Sequence, residues 1–471
     1  MFKRLILIQI FILIAHIGFT QNIWSLQQCI DYALKNNINV KQSNLQIEQA
    51  YVNLEQNRFS VLPNLNGSVS NYYNIGKRID QYTNKFADKR VRSDNYSLSS
   101  NITIFNGLQQ YNNIKQSQLN IETAKHDADA NNQNVILNIA SAYLNILYAI
   151  EQLQGSENQI IITKQQEQRA QILVNAGSAA KNTLLDIQSQ LASEELNIVN
   201  AQNTLDIAYL NLTLLLDLPS AQGFSIVKPT LPEPSINENI ANAETIVATA
   251  NSLQPSIKAA ESRIKSAYTG IELAKGNLLP SLTVGGSIGS GFSGLSSVFT
   301  GTTTVPVVIG QTTSGEEVFY NQVIPTGTKT TPYGEQLQSN LNKSFGFQLS
   351  IPIFNGFQVK SQIARAKISY ENAKFNEAIA KRDLNRNVRQ AYADAVASVK
   401  KYKAIQKSVE ALQASFKNTE TRFEVGVINA FEFNDAKNKL AKAKIDLLQS
   451  KYDYHFKLKV LEFYQGKPIT L

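Results

Sequence analysis

The chain has 471 residues, 43% of them hydrophobic and 17% charged, an ordinary folded composition that alone decides little about class. Its formal net charge of +8 is spread along the sequence rather than gathered into a basic patch, which argues against nucleic-acid binding. One cysteine, Cys29, cannot close an internal disulfide, and three histidines without partners at metal spacing leave no zinc motif, so no enzyme, cofactor or metal centre is expected.

Lys3 and Arg4 precede an apolar run from Leu5 to Ile17, with Gly18 and Thr20 just before Gln21. A basic start and a run too short to cross a bilayer predict a secretory signal peptide over 1–20. No later apolar run approaches the ~20 residues of a membrane helix, which excludes an inner-membrane bundle. A helical stretch is expected from about Leu26 to Phe59. Leu65, Val69 and Tyr73 then offer a strand, and Lys85, Lys89, Arg90 and Arg92 crowd the loop that follows, facing either solvent or anionic lipid head groups. Leu98, Ser100, Ile102 and Ile104 alternate with Ser97, Ser99, Asn101 and Thr103, the period of a strand with one apolar face.

That strand ends in "IFNG", Ile104 to Gly107. No proline occurs from Asn64 to Leu218, and only Gly155 interrupts Leu108 to Ala176, so a helix of ~100 Å is permitted there at 1.5 Å per residue. A second helix is expected from about Ala180 to Leu216, then a proline-marked linker over 220–239. Another helical stretch runs from about Ile240 to Asn277. Leu282, Val284, Gly286 and Ile288 suggest the next strand, a Gly/Thr/Ser-rich loop occupies Gly291 to Lys343, and Phe345, Phe347, Leu349, Ile351 and Ile353 form one face of a fourth strand. It too ends in "IFNG", Ile353 to Gly356. From Phe357 to Val425 there is neither Gly nor Pro, and Val388, Ala395, Tyr402, Val409, Phe416 and Phe423 recur every seven residues, a coiled-coil-like seam. A last helix is expected from about Asn429 to Phe463.

These elements repeat. Adding 249 carries Gly107 to Gly356, Ala142-Tyr143 to Ala391-Tyr392, Gly177 to Gly426 and Asp186 to Asp435; adding 217 carries Leu62-Pro63 to Leu279-Pro280 and Ala50-Tyr51 to Ala267-Tyr268. The sequence therefore predicts an internal two-fold repeat, 21–219 and 240–471, each with a helix, a β-hairpin, a long helix and a helix. Strands of about 10 residues in an exported protein suit a membrane β-barrel, yet four cannot close one, so copies of the chain must share it.

Paired "IFNG" junctions, paired Leu-Pro strand starts, Ala-Tyr pairs in the long helices and the tips "ILVNAGSAAKNTLLD" (172–186) and "RFEVGVINAFEFND" (422–435) resemble the TolC family of outer-membrane efflux proteins over nearly the whole mature length. The resemblance implies a mainly α fold with a membrane β-barrel: a homotrimer with a 12-stranded outer-membrane barrel and a periplasmic α-barrel of long antiparallel helices. It implies an exit duct for small molecules or proteins, served by an inner-membrane transporter and a periplasmic adaptor, in contact with outer-membrane lipid. Asp435 falls where the family tends to place a pore-facing carboxylate, and Glu432 lies three residues before it on the same helix face, so a trimer would carry rings of like charge; a merely solvated face is the alternative. Thr183 stands at the Glu432 position of the first repeat, and Ile428 where some relatives have a basic gating residue. Ala176, Gly177, Val425 and Gly426 are the candidate adaptor-docking tips, although a glycine there also suits a helix C-cap. Asn106, Gly107, Asn355 and Gly356 are the strand-to-helix junctions, where Gly accepts unusual backbone angles and Asn can cap. The competing class is a structural or adhesive coiled-coil surface protein without a pore.

Overall fold

The computed structural model describes residues 22–88, 90–220, 222–234 and 242–470. The expected signal peptide, Lys89 and part of the linker lie outside the described residues. In chain order, β1 (Asn22–Trp24) leads into α1 (Leu26–Asn36) and α2 (Ile38–Phe59). Next come β2 (Asn66–Asn74), the short β3 (Arg78–Ile79) and β4 (Phe86–Ala87), β5 (Val91–Asn106), the 67-residue α3 (Gln109–Asn175) and the 35-residue α4 (Lys181–Leu215). After β6 (Phe224–Ile226) come α5 (Ala243–Leu253), α6 (Pro255–Gly276), β7 (Ser281–Ser293), β8 (Ser297–Gln311), β9 (Glu317–Thr330), α7 (Tyr333–Ser339) and β10 (Asn342–Ser350). The 67-residue α8 (Gln358–Glu424) and 35-residue α9 (Ala430–Tyr464) complete the chain. Among the described residues two compact units result, and neither follows the sequence halves: those within 22–51, 118–267 and 369–470 form a helical unit, while those within 52–117 and 268–368 form a strand-bearing one.

The helical unit holds two apolar cores built alike. One gathers Cys29, Ala33, Val40, Ile139, Ile146 and Leu212; the other gathers Ile246, Ala250, Ile257, Val388, Ala395 and Leu461. Each residue of the second set is its counterpart in the first shifted by 217 or 249. Cys29 packs as a small hydrophobe where Ile246 stands, and burial pushes its thiol up to about 12, which keeps it inert. The most apolar window of α3 would suit a membrane span by length and composition, but Ile139, Ile146 and Leu147 within α3 are fully buried in the first core.

The expected stretches from Leu26 and from Ile240 each prove to be two helices. Asn37 breaks the first: its Oδ1 accepts from the backbone N–H groups of Asn39 and Val40, capping α2, while its Nδ2 donates to Leu215 O at 2.8 Å. Gln254 breaks the second before Pro255, which removes a helix donor, and its Nε2 donates to Tyr464 O at 3.3 Å. Each short helix is thereby tied to the end of a 35-residue one. The linker is anchored as well. β6 pairs in parallel with β1, Lys228 reaches Glu151 at 2.6 Å, and Glu233 accepts from Tyr402 and from Lys451, which hold its carboxyl below the usual range.

The strand-bearing unit is built on a four-stranded antiparallel sheet in the order β10-β7-β5-β2. In the β2·β5 hairpin Asn66 faces Ser99 and Gly67 faces Leu98; in the β7·β10 hairpin Thr283 faces Gln348 and Val284 faces Phe347. Adding 217 and 249 to the first pairs gives the second, so both hairpins share one register. The segment expected as a loop, Gly291 to Lys343, is largely ordered instead: β8 and β9 form a second antiparallel ribbon, and Gln336 of α7 donates to Ser293 O and Thr331 O while accepting from Ser293 N–H. Its Thr and Val residues are β-branched and favour strand, a preference obscured by the Gly and Ser among them.

Candidate functional site

Both helix-hairpin tips, in the helical unit, make the same turn. Gly177 has φ +72° and Gly426 φ +76°. Gly177 N–H donates to Val174 O and Ser178 N–H to Leu173 O; Gly426 N–H donates to Phe423 O and Val427 N–H to Arg422 O. This is a Schellman closure of α3 and of α8, in which a left-handed glycine satisfies the last helix carbonyls. Ala176 and Val425 beside them are exposed, and a side chain added at either glycine would meet open space. The turns diverge one step later. Asn429 caps α9 by accepting from Glu432 N–H at 2.9 Å, whereas Ala180 heads α4 with no side-chain cap.

Glu432 and Asp435 are exposed on the first turns of α9. Asp435 is paired with Lys439 one turn on, Nζ to Oδ2 at 2.6 Å, which partly neutralises it. Ile428 is buried at the turn, near the stacked Phe423 and Phe433 rings, 4.6 Å between centroids. Between the two tips lies a groove of about 540 Å³ whose walls include Arg169, Ala170 and Thr183 from the first hairpin and Glu420, Phe423 and Ile428 from the second.

Above these turns sits a buried polar cluster that sequence reasoning missed. Lys437 of α9 donates from Nζ to Thr163 Oγ1 of α3 at 2.6 Å; Thr163 donates to Glu194 Oε2 of α4, and Lys437 Nζ lies 3.6 Å from Glu194 Oε1. Gln190 adds a bond to Glu194 at 2.9 Å. All three main members are almost wholly buried, and loss of solvent pulls the Lys437 pKa down against the opposing pull of Glu194. The sequence carried a signal: Glu194 falls in the seven-residue series Ile187, Ala201 and Ala208, all buried, and Lys437 falls between buried Phe433 and Leu440. A charge inside an apolar seam asks for a partner.

The strand-to-helix junctions, in the strand-bearing unit, use two successive left-handed residues each: Gly107 (φ +66°) with Leu108 (φ +64°), and Gly356 (φ +60°) with Phe357 (φ +61°). Asn106 Oδ1 accepts from Gln110 N–H at 3.2 Å as a cap, while Asn355 receives Gln358 N–H on its backbone oxygen. Gly107 is also sterically required, because a Cβ there would lie 2.2 Å from Gly276 O and 2.9 Å from Leu279 Cβ; at Gly356 it would meet nothing within 4 Å. The tips and the junctions thus belong to different compact units, and Glu432 and Asp435 stand at the start of α9, beside the turn that carries Val425 and Gly426. Among the described residues no cluster of His, Cys, Asp and Glu could hold a metal ion.

The family described as Outer membrane efflux protein matches residues 29–217 and 246–467. The chain is 24% identical over 441 residues to Outer membrane protein TolC of Escherichia coli (strain K12), covering 91% of this chain and 80% of that protein. The fold is similar to crystal structures of CusC, with a TM-score of 0.73 at 18% identity over 94% of this chain and 92% of that one. It is also similar to the Campylobacter jejuni CmeC outer membrane channel, with a TM-score of 0.71 at 17% identity over 94% and 85%.

Proposed function

The chain belongs to the outer membrane efflux protein family and is an outer-membrane exit duct for efflux or secretion, and from that premise we propose how its parts do this work. The family match leaves no place for the pore-less coiled-coil reading. An internal duplication supplies each chain with two β-hairpins and two helical hairpins. Three copies share a 12-stranded barrel in the outer membrane, while their helices line a periplasmic tunnel.

One observation carries this reading. The four-stranded sheet ends in β2 and β10, and its strands are 9 to 16 residues long, enough to cross a tilted membrane path. In hydrocarbon those two edges would leave backbone groups unsatisfied, at a cost of several kcal/mol each, so other copies must cover them.

At the periplasmic end, Glu432 and Asp435 of three copies form the charged constriction that favours cations. Glu432 has the larger role, because Lys439 offsets Asp435. The groove between the tips, which Gly426 lines, receives the periplasmic adaptor together with the exposed turn residues Ala176, Gly177 and Val425, and an inner-membrane transporter supplies the energy. Two measurements test this together. The detergent-corrected mass of the membrane-extracted protein is expected to equal three mature chains, and a stable folded monomer would sink the proposal. In planar bilayers Glu432→Gln is expected to reduce cation selectivity more than Asp435→Asn; equal selectivity in both variants and the parent would remove these carboxylates from the pore.

A further inference from the structure

The four-stranded sheet has one apolar and one polar face. Residues opposed in the register share a face, and alternate residues along a strand keep to it. Val69, Leu98, Val284, Ile288, Phe345 and Phe347 fall on one face; Ser70, Ser97, Ser99, Asn101, Ser287 and Gln348 fall on the other. In a shared barrel the first face meets lipid and the second lines the duct. Helices α2, α3, α6 and α8 join the sheet at the end marked by Asn66, Asn106, Ser281 and Ser350, so the opposite end, with residues 75–90, stands at the outer surface.

Toward that outer end the apolar face changes character. Tyr73, Tyr96 and Phe292 lie on it, joined by Tyr333 of α7, whose ring is 5.0 Å from that of Phe292 and whose hydroxyl bonds that of Tyr96 at 2.5 Å. Aromatic rings at this height suit a head-group interface. Cations are interleaved with them: Arg90 stands 4.4 Å over the Tyr73 ring and Arg92 5.6 Å over that of Phe292. Arg92 is committed to buried Asp94, Nη2 to Oδ2 at 2.6 Å, so of the basic residues crowding this loop it is the one already taken.

Beyond the rings the loop is pinned. Buried Asp80 accepts from the backbone N–H and the hydroxyl of Thr83, each at 2.9 Å, and from the Ser293 hydroxyl of β7 at 2.7 Å, which ties the β3·β4 hairpin to the end of the sheet. Among the described residues from 77 to 94, Lys77, Arg78, Lys85 and Arg90 are exposed as well as Arg92, against one exposed acid, Asp88. Exposed Ile79 and Phe86 oppose each other in the same hairpin. Water suits that apolar pair poorly, whereas a membrane interface accepts apolar side chains and cations together.

We propose that Lys77, Arg78, Lys85 and Arg90 hold the phosphate of an anionic lipid in the outer leaflet, at the rim of the barrel; the proposal rests on the shared-barrel reading above. Each Arg offers a planar fork of donors that matches phosphate oxygens, and each Lys a point charge. The phosphate lies beyond the Tyr73 ring, and the acyl chains run down the apolar face past Val69.

Lipid retention by the detergent-extracted full chain tests this, with phosphatidic acid and phosphatidylcholine offered as an equal mixture and bound lipid counted by native mass spectrometry. The assembly is expected to retain several-fold more phosphatidic acid, and excess inorganic phosphate should not displace it, because the acyl chains also hold the lipid. Lys77→Gln with Lys85→Gln, two exposed lysines, should lower the preference, and adding Arg78→Gln and Arg90→Gln should abolish it. A parent with the mass of three chains and no preference, or a preference that survives all four substitutions, would overturn the site and leave the barrel standing. Displacement by inorganic phosphate would overturn the lipid in favour of a free anion. A monomeric parent without lipid preference would overturn both readings.

Discussion

The hairpin of α3 and α4 and the hairpin of α8 and α9 have equal helix lengths, 67 and 35 residues in each, and the same glycine turn. They differ in what surrounds the turn. The first supplies Thr163 and Glu194 as receivers and has an uncapped Ala180; the second supplies the buried cation Lys437, the Asn429 cap and the exposed carboxylates Glu432 and Asp435. Gly155 lies in the first long helix, whereas its counterpart in the second is Ala404. Shape is thus common to both hairpins, while the chemistry that locks them together is divided between them. Neither hairpin could replace the other without stranding a charge.

Removing the lock is the strongest way to break that comparison. Lys437→Met leaves Glu194 buried without its cation, and stability is expected to fall by about 3 to 5 kcal/mol, read as a lowered midpoint in chemical denaturation of the extracted assembly. Adding Glu194→Gln to that variant should recover part of the loss; no recovery would mean that Lys437 acts through packing alone.

Gly155 gives the next effect. A Cβ there would lie 2.5 Å from Ile445 Cδ1 and 2.7 Å from Ile445 Cγ1, so α9 approaches α3 closely at this point. Gly155→Ala is expected to cost about 1 to 3 kcal/mol of overpacking despite the better helix propensity of Ala, and Ile445→Ala in the same chain should relieve it. Ala404→Gly, at the matching place in α8, should lose only the ~1 kcal/mol of propensity. A gain in stability from Gly155→Ala would show that Ile445 simply turns aside.

The caps sharpen the comparison at smaller scale. Asn429→Ala should destabilise by about 1 kcal/mol and Ala180→Asn should stabilise by a similar amount, and thermal melts of the two variants should move in opposite directions.

The least effect is expected from acid. Partners hold the Glu233 carboxyl below its ordinary 4.5, so its contribution is present above that value and is lost as pH falls through the lower folded value. Hydrogen exchange in residues 227–234 should accelerate in that window, and Glu233→Gln should abolish the acid dependence.

The long helices, the tip glycines and the matched strands were legible because each follows from a local rule: helix breakers are missing over long spans, apolar residues recur every seven positions, and alternation marks the strands. The helix breaks at Asn37 and Gln254 were hidden because their cause is distant, in the Leu215 and Tyr464 carbonyls those side chains reach. The Lys437–Glu194 pair was hidden for a similar reason, since which charges meet depends on which helices pack together. The left-handed Leu108 and Phe357 show a further limit. Bulky residues seldom adopt that conformation, yet both take it just before the start of a 67-residue helix. Of the candidate site, the turn geometry around Gly177 and Gly426 could be read in advance, but the Lys439 partner that tempers Asp435 was overlooked although it lies only four residues on.

The unlike edges of the strand-bearing sheet also have a genetic consequence. On the proposed shared barrel, a chain whose β10 is spoiled, for instance by a proline in place of Phe347, would still present a sound β2 and join two normal copies, leaving a ring with a seam it cannot close. Such an allele should therefore be dominant over the normal gene, and its harm should grow with its share of the expressed protein. A chain spoiled at both edges would find no partner and should be recessive.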